Sequence, residues 1–214
     1  MKTDKTKVKR APKRGFYDEE TIFGILDKHF VCQIAFVHNS YPVIIPTIYG
    51  RKGKDLYIHG ATVSRMLVEL ERGLPISVNI TQTNGLVLAR SAFHHSLNYQ
   101  SVTIFSNAVI VEDENERNAA LKIISDQILP DRWEEVRLPN DKELKATKII
   151  KIPISEASAK IRTGPPVDDK EDYELPIWAG VVPIKTVFGE PISDYKLKEG
   201  IQVSKSVKNL FKNE

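Results

Sequence analysis

Apolar positions in this chain recur mostly at every second residue, in short runs set apart by turn residues, which is the rhythm of β-strands. Residues 31–38 and 41–50 are two such runs split by Asn39-Ser40, and they predict a hairpin. Pro42 and Pro46 in the second run predict an edge, a bulge or a break, because proline donates no ladder hydrogen bond. Gly53 turns the chain into a strand over residues 56–59. Further strands are predicted at 76–81, 86–91 and 101–111, with Asn84-Gly85 as a turn between the first two. Residues 147–154, 159–162 and 178–184 complete the set.

Helical spacing occurs in three places. Asp18-Glu19-Glu20 caps a helix carrying Ile22, Phe23, Ile25 and Leu26, expected to cover one end of a barrel. Residues 64–72 put Met66, Leu67 and Leu70 on one face before Gly73. Residues 114–129 turn Ala120, Leu121, Ile124 and Ile128 inward and stop at Pro130. An irregular acidic loop follows Thr163-Gly164-Pro165-Pro166 to about Glu174, and the Lys-rich stretch from Lys196 reads as a weak helix or a frayed end. Strands do not alternate regularly with helices, which argues against a doubly wound sheet. The predicted class is mainly β with flanking helices, an antiparallel barrel.

Composition adds limits. With 214 residues, 41% hydrophobic and 28% charged, the chain can bury a sizeable core. No apolar run approaches the roughly 18 residues that span a bilayer, and the basic start lacks the apolar segment of a secretory signal. The single Cys32 excludes an internal disulfide and reads as a small buried hydrophobe, consistent with a cytoplasmic protein. Charge is uneven: residues 1–14 carry seven cations against Asp4, a net +6, so the rest of the chain sums to −3. Such a tail can touch nucleic acid or serve as a nuclear targeting signal. With no aromatic among its charges, it reads as a disordered, solvated arm over residues 1–14. The expected organisation is that tail, one domain over 15–190 and a Lys-rich extension over 191–214.

Two stretches concentrate chemistry. In His59-Gly60-Ala61-Thr62-Val63-Ser64-Arg65-Met66 a strand ends in a turn that opens an amphipathic helix, gathering hydroxyls, free backbone N–H groups and a guanidinium. Helix N-termini and Arg both suit phosphate oxygens, while Ser64 as a plain cap is the simpler alternative. The second stretch, residues 89–102, holds His94, His95 and Asn98-Tyr99-Gln100-Ser101-Val102. Neighbouring histidines on an extended chain point to opposite faces, and no acid or cysteine stands at ligand spacing, so no metal site is expected. There is no Gly-rich dinucleotide fingerprint, no phosphate loop and no Gly-x-Ser-x-Gly elbow.

Together these stretches resemble the pyridoxamine 5′-phosphate oxidase-like flavoproteins, whose fold is the FMN-binding split barrel. The similarity runs from about Asp18 to Ile184. It implies that His59, Gly60, Thr62, Ser64 and Arg65 bind the FMN phosphate segment. It also implies that the backbone at Pro46 and Thr47 lies along the isoalloxazine ring and that Gln100 reaches the flavin or its ribityl chain. Residues 157–166 and Leu175-Pro176-Ile177-Trp178-Ala179-Gly180 look typical of the nitroimidazole-reductase-like and flavin-nucleotide-binding branch, with Trp178 either near the flavin or in the core. Two departures separate the chain from true pyridoxamine phosphate oxidases. Met66 replaces the usual Lys after Ser-Arg, and Arg137-Leu138-Pro139 lies too far before the end to be their substrate-holding segment.

The resemblance implies FMN as cofactor, with the deazaflavin F420, FAD and haem as other ligands of this barrel, and a homodimer with the flavin at its interface. The expected activity is flavin-dependent oxidation or reduction of a small molecule, with His94 or His95 as proton donor. The alternative is a non-catalytic flavin carrier or sensor.

Overall fold

The turn chemistry near the start of the chain is realised as its residues dictate. The computed structural model describes residues 1–211. After a short strand β1 (Gly15–Phe16), the Asp18 carboxylate accepts the Thr21 N–H and opens helix α1 (Glu19–Leu26). Strands β2 (Val31–His38) and β3 (Tyr41–Ile48) pair across Asn39 and Ser40, whose φ values of 48° and 67° give the left-handed turn that hairpins favour. Then come β4 (Gly50–Lys52), β5 (Asp55–Ala61) and helix α2 (Arg65–Leu70). Strands β6 (Pro75–Leu88), β7 (Ser96–Asn107) and β8 (Val109–Ile110) lead to α3 (Glu114–Ile128) and α4 (Asp141–Ala146). Strands β9 (Thr147–Pro153), β10 (Glu156–Arg162) and β11 (Gly180–Pro183) precede a last short helix α5 (Lys205–Asn209).

The strands form two antiparallel sheets, the halves of a split barrel. One runs β1-β10-β7-β6-β2-β3 with β11 added on β6, and the other runs β4-β5-β9-β8. The two-proline strand β3 is an edge, where a missing N–H costs no ladder bond. Alternation sorts the faces: Ile34 on β2, Val78 and Ile80 on β6, Val102 and Ile104 on β7 and Ala157 and Ala159 on β10 point into the core. Leu56, Ile58, Ile150 and Ile152 meet them from the second sheet, and α1 and α2 close the space with Leu26, Leu67 and Leu70. The other face of the second sheet carries Tyr57 and Ile149 against Ala120 and Ile124 of α3. Gly50 makes that helix seat possible, since a Cβ there would lie 2.7 Å from the Ile123 carbonyl.

Three expectations about the strands and α3 are corrected. Asn84-Gly85 is a bulge inside one 14-residue strand, because both flanking runs pair with the same partner, β7. A Cβ at Gly85 would meet Val181 Cγ1 at 2.9 Å, so glycine is what lets β11 approach. The run expected over 101–111 starts earlier and divides at buried Ala108, passing from one sheet to the other. Ile128, at the end of α3, is 38% exposed and does not join the core.

The basic arm, read as solvated, lies on the body. Thr6 is buried, the Val8 N–H donates to the Tyr17 hydroxyl at 2.8 Å, and Lys5 pairs with Glu156 of β10 at 2.8 Å. Of the Lys-rich extension, residues 212–214 lie outside the described residues. Among the described residues no helix is long and apolar enough to cross a membrane.

Candidate functional site

Strand β5 delivers His59 and Gly60 to one corner of the second sheet, and α2 starts five residues later. Gly60 faces the core, where a Cβ would sit 3.0 Å from Leu67 Cδ1, so glycine allows strand end and helix to close tightly. The turn between them is held by its backbone alone: Thr62 N–H donates to Ala146 O at 3.1 Å, and Ser64 N–H to Ala61 O at 2.9 Å. Its side chains are unspent. Ser64 caps α2 by position but its hydroxyl bonds no helix N–H, and Thr62 and Arg65 are exposed. Among the described residues, Arg65 has no ion pair. A cap without a cap bond beside a free guanidinium is a donor set waiting for an oxyanion.

The corner is anchored from behind. His38 Nδ1 bonds Glu69 at 2.8 Å and Arg72 bonds its other oxygen at 2.7 Å, tying α2 to the β2–β3 hairpin. His38 first and Arg72 second hold the Glu69 carboxyl below its ordinary range. Beneath β5, Glu116 of α3 accepts from Lys151 at 2.8 Å and from the Tyr57 hydroxyl at 3.1 Å. Burial and this carboxylate push the Tyr57 phenol up to about 12. His59 ends β5 with its side chain exposed, although the packing around its ring pushes the imidazole down from its ordinary value.

The other expected ligand residues lie on the first sheet. Pro46 and Thr47 are on β3, where Thr47 pairs with Cys32 and Pro46 with Gln33. Gln100, on β7, donates to Gln82 of β6 at 2.7 Å on the core-facing side. Trp178 is 66% exposed and precedes β11, with its indole packed against Gly180. No hydrogen bond among the described residues joins these four to the β5–α2 corner.

The histidine stretch is braced from within. The Asp168 side chain is fully buried and accepts the Arg90 N–H at 3.0 Å, the Ser91 N–H at 3.2 Å and the Arg90 guanidinium at 3.2 Å. Burial alone would raise its pKa, but these donors hold it below the usual carboxylate value. His95 Nδ1 accepts the Ala89 N–H at 3.0 Å, which fixes its proton on Nε2. His94 Nε2 meets Asp169 at 3.2 Å. The expectation that no acid stands near His94 is thus corrected in space, where Asp169 and Asp172 gather with it within 4.8 Å. Asp168 escaped sequence reading because its partners lie 77 and 78 residues away. Arg162, buried and bonded to Asn98, Gly164 O and Pro165 O, was missed because Asn98, its one side-chain partner, lies 64 residues away. Arg137 spends its fork on Glu143 at the start of α4.

A profile described as "Pyridoxamine 5′-phosphate oxidase" matches residues 18–161. No curated protein matches the chain. Among solved structures, the flavocytochrome Anf3 from Azotobacter vinelandii is 35% identical over 97% of this chain and 96% of its own, with a TM-score of 0.92. The FAD and haem binding protein from Mycobacterium smegmatis is 34% identical over 92% of this chain and 97% of its own, with a TM-score of 0.88. A proposed 5-nitroimidazole antibiotic resistance protein from Bacteroides thetaiotaomicron shares the fold at 19% identity, covering 69% of this chain and 86% of its own, with a TM-score of 0.59. With its split barrel, its matched span and these relatives, the chain belongs to the pyridoxamine 5′-phosphate oxidase family.

Proposed function

We propose that this protein is a flavin-dependent redox protein that holds the flavin phosphate at the β5–α2 corner and acts on a small molecule as a homodimer. The observation that carries the reading is the unspent donor set of Thr62, Ser64 and Arg65 at a turn held only by its backbone. FMN is the preferred flavin, since a single terminal phosphate matches one guanidinium and two hydroxyls. The flavin, when bound, supplies hydride or electron transfer. The chain's own residues bind and orient: Arg65 and Ser64 fix the phosphate, Gln100 offers the polar edge of the cofactor the amide groups it does not spend on Gln82, and His94 Nδ1 and His95 Nε2, the ring nitrogens not spent on Asp169 and the Ala89 N–H, are the ones available for proton exchange. No pyridoxal phosphate synthesis is proposed, because Met66 stands where a phosphate-binding Lys would and Arg137 is occupied by Glu143. A non-catalytic flavin carrier with the same corner is the alternative.

A second cofactor reading is favoured by two relatives, one described as a flavocytochrome and the other as binding FAD and haem. His29 Nε2 is buried without a partner at good hydrogen-bond geometry, and burial, partly offset by the nearby Gln82 side chain, pushes its imidazole down toward the neutral form that ligates iron. His59 shares the lowered pKa.

The absorption spectrum of the purified chain, before and after addition of FMN and then haem, tests both. Shifted flavin bands support the flavin reading, and a colourless protein that ignores FMN overturns it. A Soret band lost in His29→Ala or His59→Ala supports haem. Reduced bound FMN that a specific acceptor reoxidises faster than free FMN favours an enzyme over a carrier.

A further inference from the structure

We propose a second anion site on this protein: the groove between the N-terminal arm and the outer face of β7 and β10 binds a phosphate-bearing anion. The groove encloses about 260 Å³. Lys7, Lys9 and Arg10 line it from the arm, Lys160 from β10, and Ser101 and Thr103 from β7. This placement is built. Thr6 is buried and accepts the Thr3 N–H at 2.8 Å, the Val8 N–H is held by the Tyr17 hydroxyl, and Gly15 pairs with Lys160 itself. A Cβ on Gly15 would lie 2.9 Å from Val8, so the arm is folded back closely on the strand that follows it.

The charges on this surface do not balance. Lys5 takes Glu156, and Asp4 is the arm's one acid. Among the described residues, Lys7, Lys9, Arg10 and Lys160 have no ion pair. Two residues beyond Lys160 on the same face of β10, the Arg162 guanidinium is buried against neutral oxygens only, and its Nε has no partner. Burial and the neighbouring Arg14 charge both disfavour its charged form. Fixing like charges side by side opposes folding unless a counter-charge joins them. Ammonium and guanidinium groups around a hydroxyl floor match the oxygens of phosphate, which accept from all three donor types. The groove is open and small, so it suits one or two phosphate groups. They can belong to a free nucleotide or to a nucleic-acid backbone.

The test uses the full chain loaded with flavin. Pyrophosphate and ADP are titrated directly, and a short labelled single strand is followed by anisotropy at several salt concentrations. The groove variant is Lys7→Gln with Lys9→Gln, Arg10→Gln and Lys160→Gln, and the control is Lys185→Gln with Lys196→Gln and Lys198→Gln in the exposed stretch after β11. Saturable binding by the wild type is expected to weaken about tenfold or more in the groove variant, with the single-strand salt slope falling by about 3. The control variant should bind as the wild type does, flavin absorbance should not move in either variant, and the melting temperature of the groove variant should hold or rise, since like charges are removed. Binding of ADP and pyrophosphate without the strand assigns the site to a free phosphate ligand. Strand binding that pyrophosphate displaces assigns it to a backbone. No saturable binding by the wild type, or equal losses in groove and control variants, overturns the proposal.

Discussion

The two stretches that concentrate polar chemistry, residues 56–67 and 89–102, have opposite hydrogen-bond economies. At the β5–α2 corner the backbone closes the turn by itself, and the side chains of Thr62, Ser64 and Arg65 are left over. In the histidine stretch the imidazoles and the Arg90-Ser91 segment already have protein partners, with only Arg90 Nε among them left buried and unpaired: Arg90 and Ser91 on Asp168, His95 on the Ala89 N–H, His94 on Asp169. Unspent donors mark a place for a ligand, and spent ones mark a brace. Sequence alone makes the two look alike, because both are clusters of His, Ser and Arg between apolar strands.

The strongest way to break this contrast is to remove the unspent donors. Ser64→Ala with Arg65→Ala should weaken FMN by about a hundredfold or more, since two charge-assisted contacts are lost, while thermal stability holds. Equal loss of stability in a melting experiment would show that these side chains are braces too. Next in size is Asp168→Asn, which should lower the melting temperature and leave FMN affinity nearly unchanged. The same carboxylate gives a pH signature. Its folded-state pKa is depressed, so its contribution is present above the ordinary carboxylate pKa and is lost as pH falls through the depressed value. Melting curves from neutral to acid pH should show this loss in the wild type, reduced in Asp168→Asn.

Gly60→Ala sharpens the comparison from the packing side. The new methyl must displace Leu67 Cδ1 and tilt the start of α2, costing about 1 kcal/mol in denaturant unfolding and weakening FMN as well. The smallest effect belongs to Cys32, buried on β2 with its thiol pushed up to about 12 by desolvation. It should resist thiol reagents at pH 8 in the native protein and react only after unfolding.

Much of the fold was legible because it depends on local rules. Asp18 reads as a cap and is one, Asn39-Ser40 reads as a hairpin turn and is one, and the two prolines of β3 mark an edge. The misreadings share one cause. Asn84-Gly85 carries the local signature of a turn, but pairing to β7 on both sides overrides it, and the glycine serves the distant approach of Val181 instead. The arm over residues 1–14 has a solvated composition, yet Thr6, Val8 and Lys5 find partners on Tyr17 and β10. At the candidate site, the hydroxyls and guanidinium of the corner lie within four residues and can be read directly. The Asp168 brace and the Arg162 clamp join segments that no sequence window spans.

The central claim is that the corner recognises a flavin through its phosphate. Titrating FMN against riboflavin, which lacks the phosphate, tests it most directly, followed in the wild type and in the Ser64→Ala, Arg65→Ala variant. The wild type should strongly prefer FMN, and the preference should collapse in the variant through weaker FMN binding, with riboflavin unchanged. Equal affinity of the wild type for FMN and riboflavin would contradict it, and would move the flavin away from Ser64 and Arg65.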